Sequence, residues 1–359
     1  MSALTPLVTD RSVIVCCGSG GVGKTTVSAT FALAAARAGR RACVVTVDPA
    51  RRLADSLGVQ SLANTPTEVA GDWPGHLHAL MLDTKGTFDD LIHTYAPTPD
   101  QAEGILSNRL YQNLTGALSG TQEYMAMEKL HELVESGEFD VVVVDTPPTR
   151  NALDLLDAPR RLTRFLENRL FRALLLPTRM SLRAVGLATQ ALLRTLSKVA
   201  GAEIVQDAVA FFQAFEGMEE GFRTRAEHMR RLLVRRTTAF VLVTSPRSDT
   251  VEEAGWFADK LNESGVAVEG LVVNRVHPAF TAAEPLPVAP AGSALAALID
   301  NLRGYQAVNR REEDAFAALV TQVAPSPVSL VPLLEVDVHD VTGLGLVADH
   351  IFSDVVGTR

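Results

Sequence analysis

One glycine-rich turn constrains the fold of this chain more than any other feature. Residues 18–25 fit the pattern G-x-x-x-x-G-K-[ST]. The apolar, β-branched run before the turn, residues 13–17, predicts a buried parallel strand, and the alanine-rich run after it, residues 25–37, predicts a helix that Gly39 ends. A glycine turn between a strand and a helix is the context in which this pattern binds phosphate. The sequence therefore predicts that the chain binds a nucleoside triphosphate.

Backbone and side chains of this turn have different roles in the predicted site. Glycines let successive backbone N–H groups turn toward the phosphates, and the N-terminus of the following helix adds partial positive charge. Lys24 is expected to reach the β- and γ-phosphates, and the Thr25 hydroxyl is expected to hold Mg²⁺. The predicted nucleotide-binding residues of the turn are Gly20, Gly21, Val22, Gly23, Lys24, Thr25 and Thr26.

Composition and charge argue against several function classes. Hydrophobic residues make up 47% of the 359-residue chain, which supports a sizeable core, and the formal net charge of −9 argues against a nucleic-acid-binding protein. No basic start precedes an apolar N-terminal core and no apolar run approaches a bilayer span, so we expect a cytoplasmic protein without stable membrane insertion. Cys16, Cys17 and Cys43 form no C-x-x-C pair, which argues against a zinc site, and they are typical of small core residues.

Strand and helix patterns alternate along most of the chain, which predicts an α/β fold of the P-loop NTPase type, with a mostly parallel central sheet flanked by helices. Predicted strands are residues 13–17, 41–47, 78–82, 139–145, 238–244, 270–274 and 327–331. Predicted helices are residues 25–37, 121–136, about 250–263, about 302–322 and about 342–355, with a further helical stretch around Phe88, Leu91 and Ile92. We interpret residues 1–11 as a loose polar leader, and residues 60–76 and 277–292 as loops.

The sequence changes character between about Ala158 and Arg236. Glycines become rare, arginines multiply and apolar residues recur at helical spacing, which predicts an α-helical insertion. The predicted organisation is a first part of the P-loop NTPase core at residues 1–157, the insertion at residues 158–236, and a second part of the core at residues 237–359.

Two aspartates follow predicted strands at the edge where parallel sheets place their chemistry. Asp145 ends a strand with four consecutive valines, and we expect it to hold the metal ion through a water molecule. Asp48 ends the second strand and is the candidate to orient or deprotonate the attacking water. The alternative for Asp48 is an aspartate that only accepts local backbone N–H groups. Asp48 and Lys24 are therefore the predicted catalytic residues, and Thr25 and Asp145 are the predicted metal ligands.

Three stretches of the chain resemble the ArsA-type ATPases. They are residues 18–26, the run from Asp48 to Asp55, and the run from Asp145 to Thr149. The similarity extends to Val273-Asn274 and to residues 331–333, so it covers nearly the whole chain. This family includes the arsenite-pump ATPase and the chaperone ATPase that targets tail-anchored membrane proteins. Within it, the paired ArsA-like ATPases of actinobacteria resemble this chain most in the style of their switch sequences.

The resemblance implies an activity and a role for several residues. It implies a Mg²⁺-dependent ATPase that works as a dimer and prefers ATP over GTP. Asp48 would act on the attacking water from the first switch segment of the family, and Asp145 would be the residue at which the second switch segment begins. Asn274 would bind the adenine edge, with Pro332 and Leu333 packed near the base. An asparagine that ends a strand is equally typical of a turn, so the adenine role depends on the resemblance.

The chain departs from the family at its phosphate loop. The family's loop begins Gly-Lys-Gly-Gly, and that lysine crosses a dimer interface to the partner's phosphates, whereas this chain has Ser19. A serine hydroxyl carries no charge and does not reach as far. The departure implies a heterodimer with a lysine-bearing paralogue, with a homodimer as the alternative. In the second switch, Arg150 and Asn151 replace a usual Gly-His, and we interpret Arg51, Arg52 and Arg150 as surface arginines that could partly compensate.

The sequence leaves the partner and the role of the insertion open. In the targeting chaperones this region forms a groove for a hydrophobic client, whereas amphipathic helices of this kind usually pack on the protein body. We expect an ATPase that couples ATP binding and hydrolysis to a protein or membrane-protein interaction. The alternatives are a nucleotide-binding scaffold with negligible hydrolysis and the ATPase subunit of an anion-export system. The family's dimer-joining zinc cysteines and arsenite-binding thiols are absent, which argues against arsenite transport. A partitioning ATPase would need DNA-binding basic patches or a basic amphipathic C-terminal helix, and the tail from Gly343 to Arg359, with two aspartates and one terminal arginine, is a poor membrane anchor.

Overall fold

The chain is built on one mixed, mostly parallel sheet. The computed structural model describes residues 2–48, 51–109, 111–112, 121–147, 207, 210–211, 218–280 and 286–352. The strands of these residues are β1 (Val13–Gly18), β2 (Arg41–Thr46), β3 (Thr67–Val69), β4 (His76–Met81), β5 (Val141–Asp145), β6 (Thr238–Thr244), β7 (Val268–Val276) and β8 (Val328–Pro332). Their order across the sheet is β3-β4-β2-β5-β1-β6-β7-β8. Neighbouring strands are parallel, except that β3 and β4 are antiparallel.

Helices connect these strands in sequence. The described helices are α1 (Thr5–Asp10), α2 (Lys24–Arg37), α3 (Arg52–Leu57), α4 (Thr84–Tyr95), α5 (Pro99–Leu106), α6 (Thr121–Glu135), α7 (Glu219–Leu233), α8 (Ser248–Glu263), α9 (Ala294–Val323) and α10 (Val341–Phe352). The predicted α/β fold with a mostly parallel sheet flanked by helices is confirmed.

The central strands explain why valine runs occur in this sequence. Every residue of β1, β5 and β6 is buried, as expected for parallel strands covered on both faces. The register brings the carboxyl ends of three strands to one level, because Cys16 on β1 and Thr46 on β2 both pair with Asp145 on β5. The glycine turn after β1 therefore starts beside Asp145.

The chain divides into two compact units. The first comprises Met1–Met81, Leu133–Leu153 and Val234–Arg359, and it contains the whole sheet. The second comprises Leu82–Glu132 and Asp154–Leu233. Within the second unit, the Arg225 guanidinium on α7 donates to the buried Glu128 carboxylate on α6. The predicted insertion at residues 158–236 lies largely outside the described residues, so the predicted domain boundaries stay a prediction.

Two expectations about the N-terminal third of the sequence are wrong. The predicted loose leader contains α1, which buries Leu7 and Val8, and Leu4 just before it is 1% exposed. These side chains pack where Gly270 of β7 leaves room, since a Cβ on Gly270 would lie 2.7 Å from Leu4 Cδ2. Their i, i+3, i+4 spacing is that of a short amphipathic helix, too brief to stand out from its polar neighbours. The predicted loop at 60–76 contains β3, which pairs with β4 at the sheet edge.

Other boundaries differ from the prediction by a few residues. The long helix predicted at about 302–322 begins earlier, at Ala294, because the Ser293 hydroxyl accepts the Ala296 N–H and caps it. Strand β7 extends to Val276, two residues past the predicted end at residue 274. Residues 353–355 of the predicted last helix lie outside the described residues. In the part of the chain that the structure covers, no helix is both long enough and apolar enough to cross a bilayer.

Candidate functional site

The glycines of the turn between β1 and α2 are required by close backbone contacts. A Cβ on Gly18 would lie 2.0 Å from the Val243 carbonyl oxygen of β6, a backbone atom that cannot move aside. Gly23 has φ of 90°, in the left-handed region, and occupies the N-cap position of α2. A Cβ on Gly23 would lie 2.2 Å from Asn274 Nδ2. The turn is therefore fixed against β6 and β7 as well as β1.

Lys24 lies at the start of α2 and is a buried cation. Its side chain is 8% exposed, and its Nζ donates a hydrogen bond to the Ser19 carbonyl oxygen at 2.7 Å. Burial lowers the pKa of Lys24, and the nearby Asp145 carboxylate opposes that shift. Among the described residues no carboxylate lies within ion-pair distance of Nζ. A buried ammonium folded onto its own loop fits an anionic ligand that would replace the carbonyl contact.

The Asp145 carboxylate accepts hydrogen bonds from hydroxyl groups on two neighbouring elements, α2 and β2. Its Oδ2 accepts hydrogen bonds from Thr25 Oγ1 at 2.7 Å and from Thr46 Oγ1 at 2.9 Å. Its Oδ1 is buried and has no hydrogen-bond partner within the described chain. Burial raises the pKa of Asp145 to about 6, although the two hydroxyl groups and Lys24 lower it. Carboxylate and hydroxyl oxygens are the ligands that Mg²⁺ prefers, so this pair of side chains fits a magnesium site.

Asp48 lies two residues beyond β2, beside the strand that ends at Asp145. Its backbone N–H donates to Thr46 Oγ1 at 3.2 Å, and its Oδ2 lies 3.4 Å from an Arg52 guanidinium nitrogen. Pro49 and Ala50, which follow it, lie outside the described residues. Sequence reasoning missed Thr46, whose hydroxyl donates to Asp145 because of the strand register and accepts the Asp48 backbone N–H two residues further on. The signal for it was a polar residue within the apolar run before Asp48.

The residues predicted to surround the base form a cavity at the carboxyl ends of β7 and β8. The cavity has a volume of about 230 Å³. This is below the ~300–1,000 Å³ of sites for drug-sized ligands and suits a single heterocycle. It brings together the predicted Thr26, Asn274, Pro332 and Leu333. Its further lining residues are Gly23, Arg275, Val331, Leu334, Val336, Asp337, Val338, His339 and Val347, most of which the sequence missed.

Asn274 lines this cavity and also contacts the phosphate loop. Its Nδ2 donates to the Val22 carbonyl oxygen at 2.9 Å, and its Oδ1 accepts the Arg275 backbone N–H at 3.0 Å. The Arg275 guanidinium donates to the Gly21 carbonyl oxygen at 3.1 Å. The family resemblance implied that Asn274 lies near the base, and nothing in the sequence indicated that Asn274 or Arg275 holds the loop.

The remaining predicted residues of the loop and the switch segments differ in how far they are exposed. Ser19 is 2% exposed, and its hydroxyl oxygen has no hydrogen-bond partner in the described residues. Gly20 is exposed, which leaves its backbone open to a ligand. Arg51 and Arg52 are exposed, as predicted for surface arginines. Arg150 and Asn151 lie outside the described residues.

Titration of Asp145 is expected to lower the stability of the ligand-free protein as the pH rises. Its pKa is about 6 in the folded state against an ordinary 3.8, so between these values the folded state binds more protons than the unfolded chain. The free energy of unfolding then falls with rising pH through this window, by roughly 3 kcal/mol. Urea unfolding in EDTA should show that Asp145→Asn gains stability over the parent by about this amount between pH 4 and pH 7.

A control with the opposite shift separates this effect from general charge effects. Arg41 lowers the pKa of Asp140 to about 2, so this carboxyl titrates below pH 4. Both its folded pKa and the ordinary 3.8 lie below pH 4, so the difference in unfolding free energy between Asp140→Asn and the parent should change by only about 0.3 kcal/mol from pH 4 to pH 7. A change this small for Asp145→Asn as well would contradict a raised pKa at Asp145.

Comparisons with known proteins match a part of the chain that includes the loop. A family model described as "Anion-transporting ATPase" matches residues 11–286, more than half of the chain. The chain is 32% identical to the ATPase asna-1 of Caenorhabditis elegans over 151 residues, which are 40% of this chain and 43% of that protein. It is 33% identical to the ATPase GET3 of Malassezia globosa over 153 residues, 43% of this chain and 44% of that protein. These two matches span less than half the length of the relatives.

A longer match has lower identity. The chain is 26% identical to the ATPase ASNA1 homolog 1 of Paramecium tetraurelia over 263 residues, which are 72% of this chain and 73% of that protein. The similarity therefore extends well beyond the glycine turn.

Proposed function

Because this chain belongs to the anion-transporting ATPase family, we propose that it is a Mg²⁺-dependent ATP hydrolase that acts in the cytoplasm as one subunit of a dimer. The observation that carries the proposal is the meeting of Lys24, Thr25 and Asp145 at the carboxyl ends of β1 and β5. A buried cation, a hydroxyl group and a carboxylate oxygen without a partner supply the charge and metal ligands that phosphoryl transfer needs.

The residues of the loop have defined tasks in this proposal. Gly20 to Thr26 bind the phosphates through backbone N–H groups, and Lys24 neutralises charge on the β- and γ-phosphates. Thr25 and Asp145 would hold Mg²⁺, which when bound neutralises charge on the phosphate oxygens. Asp48 orients the attacking water and accepts its proton as the water oxygen bonds to the γ-phosphorus and the bond to ADP breaks. The cavity lined by Asn274, Pro332 and Leu333 takes the base.

Ser19 supports the proposal of a heterodimer. Its side chain is 2% exposed and ends in an uncharged hydroxyl, so it supplies no cation to a neighbouring subunit. A paralogous subunit with a lysine at this position would supply the charge to the nucleotide bound here. In this proposal the dimer couples its nucleotide state to a protein or membrane-protein partner.

Two other functions have weaker support. The uncharged Ser19 in place of the family's lysine favours a nucleotide-binding scaffold with negligible hydrolysis. The presence of Asp48, the candidate base, argues against it. An anion-export subunit is favoured by the description of the family model. The cysteines argue against arsenite as the anion. Cys16, Cys17 and Cys43 are at most 1% exposed. Burial raises the pKa of Cys16 and of Cys43 to about 12. Thiols in this state bind soft ions poorly.

Hydrolysis assays with and without the second subunit test the proposal. The purified chain is expected to bind ATP with Mg²⁺ and to hydrolyse it slowly alone. Addition of a lysine-bearing paralogue from the same genome should raise the rate per subunit by ~10- to 1,000-fold, the range of effect of one positioned cation. A homodimer that alone hydrolyses ATP as fast as the mixture contradicts the heterodimer. Absence of Mg²⁺-dependent ATP binding contradicts the ATPase itself.

A further inference from the structure

Two successive carbonyl groups of the phosphate loop are held from outside by the end of β7. Asn274 Nδ2 donates to the Val22 carbonyl oxygen at 2.9 Å, and the Arg275 guanidinium donates to the Gly21 carbonyl oxygen at 3.1 Å. Both donors come from adjacent residues of one strand end. The Asn274 amide also lies close to Gly23, since it fills the space that a Cβ on Gly23 would need.

These contacts set the direction of two N–H groups. A trans peptide bond is planar, and its carbonyl and N–H groups point in opposite directions. When the Gly21 and Val22 carbonyls face the end of β7, the N–H groups of Val22 and Gly23 point away from it. Within the described residues neither N–H donates a hydrogen bond to another group. They are therefore available to phosphate oxygens.

The backbone at Arg275 supports a specialised role. Its φ is 63°, which makes Arg275 the one residue other than glycine with positive φ among those the structure describes. An L-residue with a large side chain is strained in this region, and such strain is concentrated at functional positions. The Asn274 side chain stabilises the strained geometry by accepting the Arg275 N–H at 3.0 Å. The two residues thus act as one unit.

We propose that Asn274 and Arg275 are a positioning pair that fixes the Gly21–Val22 and Val22–Gly23 peptide planes and so sets the affinity of the loop for phosphate groups of any nucleotide. The proposal rests on the proposed nucleotide site and changes the role of Asn274. The resemblance gave Asn274 the adenine edge, whereas here its amide donates to the loop and accepts from Arg275. In this proposal its effect on affinity is exerted through the phosphates, and the other residues of the cavity select the base.

Binding of ligands with and without a base tests the pair. Arg275→Asn removes the guanidinium and places a residue that tolerates positive φ at this position, so the ligand-free protein should melt no lower than the parent. Asn274→Ala removes the other donor without a change of charge. Each variant should bind MgATP, MgGTP and magnesium tripolyphosphate about tenfold more weakly than the parent, by the same factor for all three. The ratio of the GTP and ATP dissociation constants should not change.

The opposite pattern would overturn the pair. If tripolyphosphate binds the variants as tightly as the parent and only ATP is weakened, Asn274 binds the base and does not position the loop. Unchanged affinity for all three probes overturns the proposal equally. Arg303→Ala, which removes an exposed arginine paired with Asp300, is the control and should match the parent for every probe. Since Arg275→Asn also removes a charge, its loss should persist at 0.5 M salt, where a long-range charge effect is screened.

The parent protein separates this proposal from the function it depends on. A parent chain that binds MgATP, with variants that do not differ from it, refutes the positioning pair and leaves the ATPase proposal intact. A parent that binds neither MgATP nor tripolyphosphate refutes both. Where Asn274→Ala does not fold, Arg275→Asn decides, because its substitution relieves backbone strain.

Discussion

Replacement of Lys24 by methionine is expected to lower ATP hydrolysis by ~100- to 1,000-fold or more, the effect of removing one pre-organised charged donor from a phosphoryl-transfer site. Lys24 is 8% exposed and its Nζ already lies in the loop, 2.7 Å from the Ser19 carbonyl oxygen. Methionine has a similar length and no charge, so the change removes the cation without leaving a large cavity.

The stability of Lys24→Met is not expected to fall together with its hydrolysis rate. Burial lowers the pKa of Lys24, which means that the folded protein without ligand holds the charged form at a cost in free energy. Lys24→Met should therefore unfold at the same or a higher denaturant concentration than the parent, while its hydrolysis rate falls. A general folding defect would lower both.

Lys260→Met is the matched control for this experiment. Lys260 lies on α8 and pairs with Glu263 on the protein surface. Surface pairs of this kind contribute ~0–1 kcal/mol, so neither stability nor hydrolysis should change measurably. Hydrolysis by Lys24→Met within about threefold of the parent would show that the loop does not carry the chemistry.

Replacement of Asp48 by asparagine is expected to lower the hydrolysis rate by ~100-fold or more and to leave ATP affinity nearly unchanged. A positioned general base contributes ~10²- to 10⁴-fold, and asparagine keeps the shape of the side chain but does not accept the proton of water. The Arg52 contact at 3.4 Å involves an exposed guanidinium, so its loss should affect folding little. Single-turnover hydrolysis and equilibrium binding, measured on the same sample, separate the two effects.

Asp55→Asn provides the comparison for Asp48. Asp55 is an exposed carboxylate on α3, within the same stretch of sequence. Its variant should hydrolyse ATP like the parent. Equal rates for the parent and for Asp48→Asn would favour the nucleotide-binding scaffold, because a scaffold does not use a base.

The parts of the site that could be predicted are those encoded in short stretches. The glycine turn with Lys24 and Thr25 follows a local pattern, and Asp145 follows a run of four valines, so both could be placed before the structure. The α/β fold followed from the same alternation of strands and helices. The short helix α1 could not be placed in this way, because three apolar residues among polar neighbours give a weak periodic signal.

The parts that could not be predicted depend on contacts between distant residues. Thr46 reaches Asp145 because of the register of β2 on β5, and a sequence does not state a register. Arg275 contacts the Gly21 carbonyl across 254 positions of the chain, and a positive φ is not expected for an arginine. The contact of Asn274 with Val22 likewise joins residues 252 positions apart, so it was hidden although Asn274 itself was selected.

The register of the central strands also governs when this site forms during folding. Thr25 and Asp145 are 120 residues apart in the chain, and Gly18 lies against the Val243 carbonyl of β6, more than two hundred residues away. Contacts of such long range form slowly, because loop closure costs entropy before the contact stabilises anything. A nascent or partly refolded chain therefore has the loop sequence without its geometry, and nucleotide affinity develops only with the complete sheet.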